Sequence, residues 1–462
     1  MLIAHFTGRH ADTNAFFTGN RSSPWYLVAF GMIGTSLSGV TFISVPGAVG
    51  TNSFSYFQFI LGHLAGYAFI ALVLMPLYYR LNLISIYSYL EQRFGFWSYK
   101  TGSFFFLLSR TIGASFRLYL AAEVLQIGLF NKMGVPFELT VFITIALIWI
   151  YTYKGGIKTI VWTDTFQTIF LISAVAISVW LIKSQLGLSI SGLIETVDKS
   201  PYSQIFFWDV KDNKFFVKQF ISGAFIAIVM TGMDQDLMQK NLTCKNIKEA
   251  QLNMFSFCAV LVVVNFLFLT LGALLYIFSS AKGIPLPAKA DDLFPTLAFN
   301  HFGLFAGICF LLGITASSYA SADSALASLT TAFCIDFLDL NKKSDEKEKS
   351  RIKFWVHIGF SFLLLLVIII FKYLNDQSVV TAVFKVAGYT YGPLLGMFFF
   401  GLFTKLQVKD KWVPLVCVLS PVICYIINLN SEAWFGGYKF GFELLILNGF
   451  ITFMGMLLLS RR

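Results

Sequence analysis

The chain has 462 residues, 57% of them hydrophobic and only 13% charged, with a mean hydropathy of +0.73. Soluble domains carry roughly 45–50% apolar and about 25% charged residues, so this composition excludes a soluble enzyme, a disordered scaffold and a nucleic-acid binder. The net charge of +10, from 34 basic and 24 acidic residues, reads as a topological bias, because Lys and Arg collect in cytoplasmic loops.

Residues 1–6 are a short apolar scrap that resembles the end of a hydrophobic helix. Residues 7–24, with His10, Asp12 and Arg21, follow as a cytoplasmic stretch, and no cleavable signal peptide is expected. Membrane spans of about 20 apolar residues are expected near 25–50, 54–79, 99–129, 138–153, 159–184, 216–238, 251–280, 302–337, 352–374, 381–403, 412–429 and 440–460. With 7–24 inside, the alternating loops divide Lys and Arg roughly two to one in favour of the cytoplasm, which supports the count and the orientation. The Ser-rich stretch 187–215 reads as an external loop and the charged stretch 336–353 as a solvated cytoplasmic one. Residues 80–98 place Ile84, Ile86, Tyr87 and Trp97 around Glu91 and Arg93, the pattern of an amphipathic helix at the inner interface. The six cysteines lie mostly in apolar runs without metal spacing and read as packing residues.

Polar residues inside spans are costly and mark function. The first span carries Gly31, Gly34, Thr35, Ser36, Ser38, Gly39 and Thr41, then Pro46-Gly47. Glycines and hydroxyls weaken a helix, and an unwound backbone is tolerated only against protein or a water-filled cavity. A broken helix is the preferred reading, with close packing through small residues as the alternative. His63 in the second span reads as a packing residue. Arg110 and Arg117 in the third are seven apart and share a face within about 20°, directed at Glu123, another acid or an anionic solute. Asp164 opens the fifth span, where an acid complements the helix dipole or serves a cation. Ser222-Gly223 in the sixth marks either a second break or a packing notch. In the eighth span Ser317, Ser321, Ser324 and Ser328 line one face beside Asp323, whose carboxylate costs roughly 2.5–3.5 kcal/mol on insertion scales. Hydroxyls with a nearby carboxylate suit a hard cation such as sodium. The tenth span holds a glycine-rich kink at Gly388-Tyr389-Thr390-Tyr391-Gly392-Pro393.

Four features together resemble the sodium:solute symporter family: Ser38-Gly39 with Pro46-Gly47-Ala48; Tyr151-Thr152 leading through Gly155-Gly156 to Trp162-Thr163-Asp164; Ala322-Asp323-Ser324 with Asp336; and the glycine-rich kink at 388–393. The resemblance implies an all-α integral membrane protein of two inverted five-helix repeats, a leucine-transporter-type fold. The repeats would be 25–184 and 216–403, with accessory helices over 404–462, all in one transmembrane domain of 1–462. It also implies a sodium site at Gly34, Leu37, Ser317, Ala320 and Ser321, where Ala320 departs from the usual hydroxyl. A second sodium or exit path falls on Asp164, Asp323 and Ser324, and substrate contacts on Ser38, Thr41 and Arg110, with Arg117 as second choice for the arginine.

The implied activity is sodium-coupled import of a small organic solute, suggested to bear a carboxylate, by alternating access in the cell's inner (plasma) membrane. Na+ is the coupling ion; the solute and membrane lipid are the expected partners, with no nucleic acid and no obligate protein partner. An uncoupled facilitator or ion channel is the rival, and an enzyme is not expected, since the sequence shows no paired histidines or nucleophile elbow.

Overall fold

A first helix rich in glycine and hydroxyls has weak reasons to stay straight, and it does not. In the computed structural model, which describes residues 21–340, 345–375 and 378–461, α1 (Trp25–Ser36) and α2 (Val40–Asn52) meet at a bend of 61°. The chain continues through α3 (Tyr56–Arg80), α4 (Phe96–Leu125), α5 (Phe137–Gln185), α6 (Phe216–Gly232), α7 (Gln235–Asn241) and α8 (Ile247–Ala281). It ends with α9 (Leu304–Phe337), α10 (Glu346–Leu374), α11 (Val379–Thr390), α12 (Gly392–Phe403), α13 (Val413–Leu429) and α14 (Leu444–Leu458). A two-residue ladder pairs β1 (Gln407–Val408) with β2 (Ser460–Arg461).

Two further bends recur at residues that cannot continue a helix smoothly. Helices α6 and α7 meet at 69°, and α11 and α12 at 48° where Gly392-Pro393 interrupts the tenth predicted span. The second break therefore lies at Met233-Asp234, not at Ser222-Gly223. Those two residues form a notch instead: Gly223 packs on the Phe59 backbone and Gly62 on the Phe220 backbone, so α3 and α6 cross main chain to main chain.

Helix α5 covers the fourth and fifth predicted spans. A straight helix of 49 residues would reach roughly 74 Å, yet its ends share one face of the bundle. Tyr373 Oη donates to Glu138 Oε1 at 3.2 Å, and Gln185 Nε2 donates to His301 O at 3.5 Å. The segment leading to His301 joins the region after Tyr373, where Val379 N donates to Asp291 Oδ2 at 3.0 Å. The arms 137–150 and 162–185 thus act as two spans. The arm 162–185 is one of seven long apolar helices, which with the three bent pairs give ten candidate spans among the described residues; the shorter apolar helices 137–150 and α14 fall on the other two of the twelve predicted stretches.

The loops expected on one side meet one another. Ser23 N donates to Thr243 O, Arg93 donates to the carbonyls of Gly401, Thr404 and Leu406, and Asp410 caps α4 by accepting from Trp97 N and Ser98 N at 2.8 Å each. Two expectations fail here. Residues 80–95 form only a short helix, Ser88–Arg93, before α4 begins at Phe96, and Ile86 and Tyr87 are wholly buried while Phe96 and Trp97 stay exposed, so the stretch before α4 packs into protein. Asp336, assigned to a solvated loop, is buried and accepts from Ser85 Oγ (3.0 Å), Tyr99 Oη (2.8 Å) and Ser103 Oγ (2.6 Å). The N-terminal scrap 1–6 and the side chains of Tyr151-Thr152 and Gly155-Gly156 lie outside the described residues.

Candidate functional site

The first break leaves main-chain groups without helical partners. Leu37 N closes the last turn on Ile33 O at 2.8 Å, and Phe42 N resumes on Ser38 O at 3.1 Å. Among the described residues no backbone N–H reaches the carbonyls of Gly34, Thr35 or Ser36. Such orphan acceptors at membrane depth need a hydroxyl, water or a cation. Helix α9 supplies one hydroxyl directly: Ser317 Oγ donates to Leu37 O at 2.5 Å. A Cβ on Gly39 would stand 2.6 Å from Ser318 Oγ and 2.9 Å from Ile314 Cδ1, so glycine is what lets the break touch α9. Ser317, Ala320 and Ser321 are all buried at 1% exposure or less.

The second break carries a buried polar element. Every residue of α7 is buried, including Gln235, Asp236, Gln239, Lys240 and Asn241. Lys240 Nζ donates to Asp164 Oδ2 at 2.6 Å and to Thr35 Oγ1, and Thr35 Oγ1 lies 3.0 Å from the same carboxylate oxygen. Asp236 is ion-paired with Arg110 and accepts from Ser324 Oγ, and Tyr391 Oη, at the third bend, donates to Asp234. These contacts stitch α1, α4, α5, α9 and the third bend to one short helix, on the side predicted from the sequence to be cytoplasmic.

Between the two breaks lies a cavity of about 80 Å³, room for several waters at roughly 10–15 Å³ each. Ser38, Thr41, Arg110 and Arg117 share its lining, as do His63, Tyr67 and Asn265. Tyr56 and Val380 also wall a wider vestibule of about 270 Å³ that reaches Asn52 and Lys214, in loops predicted to be external. The two arginines differ in their engagement. Arg110 is paired with Asp236, whereas Arg117 Nη1 reaches only the Ser321 hydroxyl, at 3.4 Å. No carboxylate lies within 4.0 Å of Arg117 among the described residues.

The structure thus brings Leu37 to Ser317, Arg117 to Ser321 and the four substrate candidates to one cavity. It directs Asp164 to Lys240 and Ser324 to Asp236, and it buries Asp323 at 0% exposure. Gly34 packs on Thr168 Oγ1 and the Asp164 carbonyl. Lys240 falls just beyond the predicted span 216–238, and Asp234 and Asp236 at its very end. Their signal was three charged groups within seven residues of an apolar run's end, which the span boundary masked. His63 Nδ1 donates to Phe59 O (3.0 Å) as a packing residue would, but it also faces the cavity.

The model of the sodium:solute symporter family matches residues 16–409. The chain belongs to that family. Among relatives of the symporter, the sodium/sialic acid symporter NanT of Aliivibrio fischeri is 24% identical over 97% of this chain and 89% of its own length. SiaT of Proteus mirabilis is 26% identical over 88% and 82%, and the human sodium/iodide cotransporter is 26% identical over 86% and 62%. A solved sodium-coupled sialic acid symporter, in a substrate-bound outward-open state, superposes with a TM-score of 0.83 at 21% identity, covering all of this chain and 96% of that one. Mhp1, a nucleobase-cation-symport-1 transporter, superposes at 0.56 in a closed conformation. The fold is the inverted-repeat, leucine-transporter type with accessory helices. The symporter is a multi-pass plasma-membrane protein that couples a small-molecule substrate to Na+, and it is not an enzyme.

Proposed function

We propose that this symporter imports a small carboxylate-bearing solute, using a main sodium site built from the carbonyls of Gly34 and Leu37 with Ser317, Ala320 and Ser321 of α9. One observation carries the reading: at the first break α9 comes against the opened backbone, with Ser317 Oγ donating to Leu37 O and Gly39 packed on Ser318. These donors fit a hard monovalent cation, which favours neutral oxygens and needs no redox partner. Ala320 contributes no hydroxyl, so Ser321 is the remaining side-chain oxygen at the site's far edge, and the affinity rests on it. Asp323 is assigned to the exit path beside this site.

Substrate recognition is assigned to Ser38, Thr41 and Arg117. Arg110 is committed to Asp236, which leaves Arg117 as the cavity guanidinium open to an anion. Sialic acid, iodide and monocarboxylates, for which the relatives are named, are all anionic, in keeping with that arrangement. The repeats are taken as 25–184 and 216–403, each opening on a bent span, with 404–462 accessory. The cytoplasmic contacts of α7 close the path inward, so import requires the pairs at Arg110, Lys240 and Tyr391 to part while the vestibule side closes. Exposed apolar side chains such as Leu72 and Phe305 face lipid.

Uptake of radiolabelled acidic sugars and monocarboxylates into proteoliposomes tests the reading. An inward sodium gradient should drive accumulation, and Arg117→Ala should lower it by roughly 10- to 150-fold, the worth of a charged hydrogen bond of about 1.5–3 kcal/mol. Equal uptake with and without the gradient refutes the coupling.

A further inference from the structure

The residues expected to hold a second sodium are already engaged by protein. Lys240 Nζ lies 2.6 Å from Asp164 Oδ2 and also donates to Thr35 Oγ1. Thr35 Oγ1 lies 3.0 Å from the same Asp164 oxygen, closing a triangle of ammonium, hydroxyl and carboxylate. Lys240 and Asp164 have 0% side-chain exposure. Ser324, another of the three candidates, turns to Asp236, whose carboxylate takes the Arg110 guanidinium.

A lysine ammonium and a sodium ion each carry one positive charge and each seek oxygen. The ammonium here is tethered, wholly dehydrated and bonded to a carboxylate, so a free sodium would have to displace it or stand beside it. Standing beside it sets two like charges in contact in a low-dielectric site, which is strongly unfavourable. The elements that the ammonium joins are the last turn of α1 before the first break, α5, and α7 after the second break. An ion at Asp164 would likewise meet Thr35 and so tie α5 to α1.

We propose that Lys240 is a built-in replacement for a second sodium, so that this chain binds one sodium ion and couples transport to one. The inference rests on the main-site reading above and specifies its stoichiometry. A purely structural ion pair makes a different forecast: removing Lys240 would then weaken the fold and create no ion site.

Equilibrium binding of ²²Na⁺ to the purified full-length chain, without substrate, separates the two. The wild type should bind one ion per chain with a Hill coefficient of 1, and Ser321→Ala should weaken that ion with Lys240 intact. Lys240→Ala should bind two ions, Lys240→Arg one, and Lys240→Ala with Asp164→Asn one again. Two ions on the wild type overturn the proposal, and this count needs no variant to fold. A Lys240→Ala chain that keeps wild-type thermal behaviour and still binds one ion overturns it as well. A wild type that binds none refutes the main site instead, and the two failures are distinguishable, because the Asp164-dependent ion of Lys240→Ala is counted separately.

Discussion

Replacing Arg110 with methionine removes a guanidinium from a site where its partner cannot reach water. Arg110 and Asp236 have side-chain exposures of 4% and 0%, so Arg110→Met strands the Asp236 carboxylate with only the Ser324 hydroxyl. Breaking a buried pair in this way costs about 3–5 kcal/mol. At roughly 1.4 kcal/mol per tenfold, that is on the order of 10²–10³ or more in the folded-to-unfolded ratio. Asp236→Asn should cost a similar amount by stranding the cation. The double variant Arg110→Met with Asp236→Asn removes both charges and should lose less than the two single losses combined, by about 2 kcal/mol or more. The assay is the half-life of the purified chain at a fixed elevated temperature, scored by its monodisperse fraction, because unfolding of a large membrane protein is read as a rate. Strictly additive effects would show that the two side chains do not depend on each other and would refute the account of α7 as a charge-locked plug.

Three more outcomes are expected. Ser321→Ala should raise the sodium concentration for half-maximal binding more than Ser318→Ala, and equal effects would mean the register along α9 is wrong. Gly34→Ala should impair sodium binding, because its methyl would overlap Thr168 Oγ1; Thr168→Ala removes that atom and leaves the Asp164 carbonyl at 3.1 Å as the nearest neighbour, so the double variant should recover part of the loss in the same assay. Asp336→Asn should shorten the thermal half-life by an amount equivalent to about 1.5–3 kcal/mol, since the carboxylate accepts from Ser85, Tyr99 and Ser103 and holds the 85–103 segment to α9; an unchanged half-life would show that its charge is not needed there.

Much of the fold was legible because lipid imposes a length and a polarity on every span. Twelve apolar stretches, the bend near Gly34–Thr41 and the kink at Gly392-Pro393 follow from hydropathy and from residues that cannot sustain a helix. The candidate site was legible where composition was out of place: a hydroxyl stripe and Asp323 in an apolar span, and two arginines on one face. Of the two readings left open for Ser222-Gly223 the structure takes the notch, and the second break, about ten residues on at Met233-Asp234, was not legible because it looks like an ordinary span end. Residues 80–98 were misjudged because an amphipathic pattern does not say whether its apolar face meets lipid or protein.

The amino-acid sequence alone determined that the chain crosses a membrane, where it bends first, and which side chains are too polar for their surroundings, since these depend on local chemistry. Which cation meets which anion was decided only by the tertiary structure. Arg110 and Arg117 are indistinguishable by spacing, and Lys240 stands 76 residues from Asp164. Only the packing of α7 against α1, α4, α5 and α9 gives Asp236 to the first arginine, leaves the second facing the cavity, and puts an ammonium where an ion was expected. Charge pairing across a bundle is a property of distances in space, and nothing in local spacing encodes it.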